Sequence, residues 1–223
     1  MSGPARAFST ASDGKLSVAL PRGSLFDGTL DLLDRIGVDT AELRGDSRSL
    51  VFDTPELRLV TMRPSDVPTY VEAGAADLGI TGKDVLAEHP ERDVYELLDL
   101  GFGPCRMVFA TTEGEDRAAE VLRRLGVMRV ATKYPRIAAA YFERTGRQAE
   151  IVEVKGSVEL APLTGLVHGI VDLTATGTTL RENGLVIREE IAASTARLIA
   201  NPVAHKLKAA AIDKLIARIR DTA

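Results

Sequence analysis

Short apolar runs alternate with segments of helical period along this chain, and that alternation constrains its fold more than any other feature. In the middle of the chain the segments AAEVLRRLG, PRIAAAYFERTG and SVELAPLTGLV separate the apolar runs CRMVFATT, RVATKY, AEIVEV and GIVDL. Helix-period segments between apolar runs are typical of βαβ units, so we expect a parallel sheet here. The runs KLSVALP, SLVFD, LRLVTM and ADLGIT predict a second set of strands nearer the N-terminus.

The chain is long enough for two such domains. It has 223 residues, 45% of them hydrophobic, and its two halves are each near 100 residues. We predict two α/β domains with a cleft between them: domain I from residues 15–103 plus 194–223, and domain II from 104–193. Residues 1–14 are predicted to be a flexible tail. The segment VAHKLKAAAIDKLIARIR is expected to close the chain as one amphipathic helix. Its predicted apolar face comprises Leu207, Ala211, Ile212, Leu215, Ile216 and Ile219.

Charge and composition exclude several classes of protein. A formal net charge of −4 argues against a broad nucleic-acid surface. The single cysteine, Cys105, cannot form an internal disulfide, and the three His residues do not have metal-ligand spacing. No apolar run approaches the length of a membrane span, and the N-terminal segment lacks the apolar core of a signal peptide. We therefore expect a cytoplasmic enzyme or binding protein without a metal site of its own.

The most informative stretch is DLTATGTTLRENGL, which begins at Asp172 and follows the apolar run LVHGIV. A strand that ends at Asp172 brings its side chain to the carboxyl edge of a parallel sheet, where open α/β sheets bind ligands. The turn that follows supplies hydroxyl groups and a glycine, and the next segment can begin a short helix whose free N–H groups attract an anion. We predict a site for one phosphate monoester, with Asp172 at neighbouring sugar hydroxyls; a threonine-rich turn that only caps a helix is the alternative. The turn comprises Thr174, Ala175, Thr176, Gly177, Thr178 and Thr179.

Other strand ends carry charged residues. ALPRGSL places Arg22 and Gly23 between a strand and a helix, and this turn could hold an anion or only cap the helix. Arg48 precedes a predicted strand and Arg63 follows one, and each could be an ordinary surface arginine. The remaining charged residues at such turns are Asp84 in TGKD, Lys133 and Arg136 in TKYPR, and Lys155 and Glu159 in KGSVE. No Ser-His-Asp constellation is present, so an enzyme of this sequence is expected to work by binding, orientation and charge stabilisation rather than through a covalent intermediate.

These turns, in this order, resemble the ATP phosphoribosyltransferase family. The matching stretches are ALPRGSL, RPSDVPTYVEAGAADLGITGKDVL, VATKYPRIAAAYF, GSVELAPLTGL and DLTATGTTLRENGL. The resemblance implies a two-lobed α/β fold like that of type II periplasmic binding proteins, with a central cleft. It also implies transfer of a phosphoribosyl group from phosphoribosyl pyrophosphate to N1 of ATP, the first step of histidine biosynthesis. Mg²⁺ would be required and held mainly by the substrates' phosphates.

The chain resembles the short form of the family, which is expected to work as a hetero-octamer with a regulatory subunit similar to histidyl-tRNA synthetase. By motif match, residues 174–179 hold the 5′-phosphate, and Asp172 and Glu159 meet the ribose hydroxyls. Arg48 is assigned to the pyrophosphate as the catalytic residue. Arg22, Gly23, Arg63 and Asp84 are assigned to ATP. Many members have Lys-Gly-Arg in the first turn, where this chain has Arg22-Gly23-Ser24, so one cation is absent there.

Two alternatives remain open from the residues alone. One is a non-catalytic intracellular small-molecule binding module of the bilobed solute-binder type, which would take up one ligand and release no pyrophosphate. The other is a phosphoribosyltransferase that uses a different base, which product analysis would distinguish.

Overall fold

A computed structural model describes residues 14–45 and 48–222 of the chain. The predicted tail lies outside the described residues, except for Gly14. The strands are β1 (Leu16–Pro21), β2 (Val51–Asp53), β3 (Leu57–Met62), β4 (Leu78–Gly82), β5 (Tyr95–Asp99), β6 (Cys105–Thr112), β7 (Met128–Thr132), β8 (Ala149–Glu153), β9 (Gly169–Thr174), β10 (Leu185–Ser194) and β11 (Ala196–Ala200). The helices are α1 (Phe26–Arg35), α2 (Ala41–Arg44), α3 (Val67–Glu72), α4 (Lys83–Glu88), α5 (Arg117–Leu125), α6 (Pro135–Arg144), α7 (Leu160–Leu163), α8 (Thr178–Glu182), α9 (Pro202–Leu207) and α10 (Ala209–Asp221).

The chain divides into two compact units. Among the described residues, the first contains those from Gly14 to Gly82, Glu91–Gly103 and those from Ala196 to Thr222; the second contains Lys83–Pro90 and Pro104–Thr195. This division differs from the predicted boundaries chiefly at α4, which the sequence analysis placed in domain I. The reason is hydrogen bonding: Asp84 and Glu88, one turn apart on α4, accept bonds from the start of α6.

The first unit is built on a six-stranded sheet in the order β2-β3-β1-β4-β11-β5. Strands β3, β1 and β4 are parallel, whereas β2 runs antiparallel to β3 and β11 runs antiparallel to β4. The predicted strand pair SLVFD and LRLVTM is therefore confirmed as β2 and β3. Alternating residues of these strands bury apolar side chains with α1 and α10 in one core, which includes Leu20, Leu59 and Ile212.

The second unit is built on a five-stranded sheet in the order β10-β6-β9-β7-β8. Strands β9, β7 and β8 are parallel, but β6 runs antiparallel to β9 and β10 runs antiparallel to β6. The expected parallel pairing is therefore confirmed for β9, β7 and β8 and was wrong for β6. A helix between two strands does not make them neighbours: α5 leads from β6 to β7, and β9 lies between those two strands.

Each face of this second sheet packs against its own helices. Met107 and Phe109 of β6 join α5 and α6 in one core. Val108 and Ala110 of the same strand point to the opposite face and join Leu180 of α8 in the other core, together with residues of α7. This period of two along β6 lets both faces be buried, so the carboxyl edge of the sheet is left for ligands.

The C-terminal segment differs from the single helix that its pattern predicted. It forms α9 and α10, with Lys208 between them outside helical geometry. The Lys208 ammonium nitrogen lies 2.8 Å from Asp77 Oδ2, and Leu207 is 80% exposed rather than packed on the apolar face. The predicted apolar positions Ile212, Leu215 and Ile219 are buried, as expected. None of the described helices is long and apolar enough to cross a membrane.

Candidate functional site

Three parallel strands of the second unit end at one edge of the sheet. Thr132, the last residue of β7, pairs with Val171 of β9 on one side and with Glu153 of β8 on the other. Asp172 therefore stands level with Lys133, the residue that follows β7. Because the carboxyl ends of parallel strands are where open α/β sheets bind ligands, this edge is the candidate site.

A pocket of about 600 Å³ lies at this edge. It brings together almost all the residues that the sequence analysis assigned to the phosphoribosyl donor: Glu159, Asp172, Thr174, Ala175, Thr176, Thr178 and Thr179. The remaining one, Gly177, is buried within the same turn. The structure adds Lys133, Lys155, Gly156 and Ser157 to the lining. From the sequence, the two lysines were interpreted only as cations at strand-to-helix turns. Their position directly after a predicted strand was the signal that could have assigned them to the pocket.

Hydrogen bonds within the threonine turn fix its shape before any ligand is present. Gly177 has φ of 75° and precedes α8. Its N–H donates to Thr174 Oγ1 at 2.8 Å, and the Thr176 and Thr178 hydroxyl oxygens are 2.9 Å apart. The Arg181 guanidinium donates to Thr176 O and to Thr178 Oγ1, each at 3.0 Å. Arg181 is thus engaged in holding the turn.

Asp172 sits in a partly buried position beside charges of both signs. Burial is the main cause that raises the pKa of its carboxyl, and Glu159 raises it further. The Leu173 N–H, 2.9 Å from Asp172 Oδ1, and the Lys133 ammonium group both act in the opposite direction and lower that pKa. A carboxylate with this environment is suited to accept hydrogen bonds from the hydroxyls of a neutral sugar ring.

In the first unit, the arginines selected from the sequence gather at the end of β1 and β3. Pro21 pairs with Met62 in register, so Arg22 and Arg63 follow adjacent parallel strands. Arg22 donates from its backbone N–H to Met62 O at 2.7 Å, and its guanidinium contacts the Phe26 ring with 5.4 Å to the centroid.

The same arginine also ties this edge to the segment that carries Arg48. Arg22 Nε donates to Thr61 Oγ1 at 3.1 Å, and its Nη2 donates to Ser49 O at 3.5 Å. Arg48 and Arg63 are both exposed, and Gly23 adopts φ of 86° in the turn that follows β1. The first unit therefore presents several cations at one sheet edge.

Asp84 lies in the second unit, whereas Arg22 and Arg63, assigned with it from the sequence, lie in the first. Ser194 Oγ donates to Asp84 Oδ1 at 2.8 Å, and the Tyr134 hydroxyl donates to Asp84 Oδ2 at 3.1 Å. Burial, followed by the charge of Asp84, raises the pKa of Tyr134, so this hydroxyl stays protonated and acts as a donor. Asp84 thus has a structural partner on each carboxylate oxygen.

The other residues considered from the sequence have structural surroundings. Cys105 is half-buried, and burial raises the pKa of its thiol. His168 Nδ1 accepts a hydrogen bond from the Arg129 N–H at 2.9 Å, and burial lowers the pKa of this imidazole. Neither residue lines the pocket.

Comparison with known proteins identifies the family. The family model HisG, described as ATP phosphoribosyltransferase, matches residues 63–221. An ATP phosphoribosyltransferase of Rubrobacter xylanophilus is 52% identical over 207 residues, which are 92% of this chain and 94% of the relative. One of Bacillus licheniformis is 48% identical, also over 92% of this chain and 94% of the relative.

Solved structures agree with this result. The ATP phosphoribosyl transferase (HisG:HisZ) complex from Thermotoga maritima matches with a TM-score of 0.78 and 33% identity, covering 93% of this chain and 98% of that one. The periplasmic aliphatic sulphonate binding protein SsuA from Escherichia coli matches with a TM-score of 0.61 at 14% identity, covering 95% of this chain and 73% of that one. At this low identity the second match shows a shared fold, that of the type II periplasmic binding proteins, and not a shared function. The extent and identity of the first set of matches place the chain among enzymes: it belongs to the ATP phosphoribosyltransferase family.

Proposed function

We propose that the pocket of the second unit binds phosphoribosyl pyrophosphate and that the chain transfers its phosphoribosyl group to N1 of ATP, the first step of histidine biosynthesis. The observation that supports this assignment is the threonine turn, which closes one side of a pocket that also contains Asp172. In the proposed complex the turn holds the 5′-phosphate through its hydroxyls and backbone N–H groups. Asp172, with Glu159, accepts hydrogen bonds from the ribose hydroxyls.

The reaction needs no nucleophile from the protein. N1 of adenine attacks C1 of the ribose, the bond from C1 to the pyrophosphate oxygen breaks, and pyrophosphate leaves with that electron pair. Positive charge develops on the ribose and negative charge on the departing pyrophosphate. Cations placed beside the leaving group therefore stabilise the transition state more than the ground state.

Arg48 is proposed as the catalytic cation for the pyrophosphate, and Arg22, Gly23, Arg63 and Asp84 as contacts of ATP. The exposure of Arg48 and Arg63 is consistent with ligand binding, since neither guanidinium is buried against the protein. The bonds of Asp84 to Ser194 and Tyr134 favour a supporting role for its carboxylate in this set.

Mg²⁺ belongs to the proposal as an ion bound to the substrates' phosphates. Among residues 14–45 and 48–222, no group of three or more His, Cys, Asp or Glu side chains is arranged to hold a metal ion. The proposal therefore places Mg²⁺ on the substrates' phosphates, and no step above depends on a magnesium site built by the protein.

A regulatory partner is proposed from the Thermotoga maritima structure, which is a HisG:HisZ complex. The curated relatives are matched over 94% of their own length, in keeping with the short form of the family. We propose that this chain assembles with a HisZ-type subunit, as the hetero-octamer expected from the resemblance, and that it works in the cytoplasm.

The test uses the purified chain, ATP, Mg²⁺ and phosphoribosyl pyrophosphate, with phosphoribosyl-ATP and pyrophosphate measured as products. Arg48→Ala should lower kcat by about 100-fold, the typical effect of removing one donor to a developing anion. Thr176→Val, which keeps the side-chain shape, should chiefly raise KM for the phosphoribosyl donor. Turnover like that of wild type in both variants would remove these residues from the mechanism. Uptake of one ligand without release of pyrophosphate would favour the binding-module alternative.

A further inference from the structure

Lys133 is a cation of the pocket that the family resemblance did not assign. It follows β7, the middle of the three parallel strands that end at the pocket, and it stands level with Asp172 on β9. Its charge lowers the pKa of the Asp172 carboxyl. Lys155 follows β8, which is separated from the Asp172 strand β9 by β7. Lys133 therefore belongs to the strand next to that of Asp172, and Lys155 does not.

The backbone on both sides of Lys133 is held in place. The Tyr134 N–H donates to Thr132 Oγ1 at 2.9 Å, and the Tyr134 hydroxyl donates to Asp84. In the first turn of α6, the Arg136 and Ile137 N–H groups donate to the buried carboxylate of Glu88 at 2.8 and 3.0 Å. Lys133 itself is exposed. A fixed backbone with an exposed ammonium group is suited to present charge to a ligand, because little backbone entropy is lost on binding.

Charge balance in the pocket also points to a role for this lysine. The pocket is lined by the cations Lys133 and Lys155 and the acids Glu159 and Asp172. Arg181, the cation of the threonine turn, is engaged with Thr176 and Thr178. A ligand that carries both a phosphate and a pyrophosphate needs cations beyond the hydroxyls of the turn.

The stereochemistry of the donor indicates which of its anionic groups Lys133 meets. In the α-anomer, pyrophosphate on C1 projects from the same face of the ribose as the 2- and 3-hydroxyls, and the C5 substituent projects from the opposite face. A ribose with its hydroxyls on Asp172 and its 5′-phosphate on the threonine turn thus directs its pyrophosphate to the same side as Asp172. Lys133 is the cation placed there.

We propose that Lys133 is a donor-binding residue whose ammonium group contacts the pyrophosphate of phosphoribosyl pyrophosphate, the leaving group of the reaction. This inference rests on the proposed function, since it takes the pocket to be the donor site.

The test is calorimetric titration of the full chain with phosphoribosyl pyrophosphate and, separately, with ribose 5-phosphate, which has no pyrophosphate group. Lys133→Met should weaken binding of the first ligand about 10- to 100-fold, the range for loss of one charge-assisted hydrogen bond. It should leave the affinity for ribose 5-phosphate within about twofold. Thr176→Val should weaken the binding of both ligands. Lys133→Arg should retain most of the affinity lost in Lys133→Met.

Arg123→Met is the matched control, because Arg123 is an exposed cation of the same unit in the last turn of α5. It should bind both ligands like wild type. The inference would be overturned if Lys133→Met weakened the binding of both ligands equally, or weakened the binding of neither. Wild-type protein that binds phosphoribosyl pyrophosphate and forms phosphoribosyl-ATP keeps the proposed function in either case. Wild-type protein that does neither overturns the proposed function and this inference together.

Discussion

Replacement of Gly177 by alanine tests whether the backbone of the threonine turn is itself part of the donor site. Gly177 has φ of 75° at the start of α8, and an added Cβ would lie 3.3 Å from Arg181 Nη1 and 3.5 Å from Ile187 Cδ1. Alanine in the left-handed region costs about 1–2 kcal/mol. Contact with the flexible end of the Arg181 side chain adds little, so the backbone term sets the magnitude.

The strain can be expressed in two ways, and both are measurable. If the turn keeps its shape, the free energy of unfolding falls by about 1–2 kcal/mol. If the turn relaxes instead, ligand binding must restore the strained shape at a cost of the same 1–2 kcal/mol, and the affinity for the phosphate ligand falls about 5- to 30-fold. We expect a mixture, with a clear loss of affinity for ribose 5-phosphate by calorimetry and a smaller loss of stability in urea.

Gly146→Ala provides the matched control. Gly146 has φ of 68° and no heavy atom within 4 Å of an added Cβ, and it follows α6 rather than lining the pocket. The Gly146→Ala variant should lose about 1–2 kcal/mol in its free energy of unfolding and should bind ribose 5-phosphate as wild type does. If Gly177→Ala and Gly146→Ala bind ribose 5-phosphate equally well, the reasoning that the turn's backbone shapes the phosphate site is refuted.

Three further predictions concern ionisable groups of the second unit. Burial raises the pKa of Asp172 above its ordinary value of 3.8, so the folded chain binds the carboxyl proton more tightly than the unfolded chain does. The free energy of unfolding therefore falls as pH rises from 3.8 through the pKa of Asp172 in the folded chain. Asp172→Asn should therefore be more stable than wild type to urea at neutral pH while losing donor affinity, and lower stability would contradict this. Tyr134→Phe removes the hydroxyl bound to Asp84 and should lower the free energy of unfolding, measured by thermal denaturation, by about 1–3 kcal/mol. The loss in the double variant with Asp84→Asn should be smaller than the sum of the two single losses. A loss equal to that sum would argue against coupling of the two side chains. The hydrogen bond from Arg147 is the main cause that lowers the pKa of Glu189 below its ordinary value of 4.5. The ionised Glu189 therefore stabilises the fold above pH 4.5, and this contribution is lost as pH falls through the pKa of Glu189 in the folded chain. Glu189→Gln should cost about 1 kcal/mol at neutral pH in urea and flatten the acid side of the stability profile, and an unchanged acid side would exclude the pair as its cause.

Several parts of the fold were predictable because their signals are local. Apolar runs predicted most of the strands, and segments of helical period predicted the helices between them. The phosphate turn consists of consecutive residues from Asp172 to Thr179. The strand β10 was missed, because its ladder with β6 contains irregularities between Ile187 and Glu189 and between Glu190 and Ala192. Such bulges shift the side-chain alternation that a strand prediction depends on.

The sequence by itself determined the α/β class, the family resemblance and the threonine turn, since each depends on neighbouring residues and on short-range backbone chemistry. Tertiary structure alone decided that β9, β7 and β8 lie side by side, and thereby that Lys133 and Lys155 share a pocket with Asp172. It also decided that α4 packs with the second unit and that the predicted last helix is interrupted at Lys208, whose ammonium group pairs with Asp77 far away in the chain. These outcomes depend on which distant segments meet, and strand order and long-range pairing leave no periodic signal in the residues that they join.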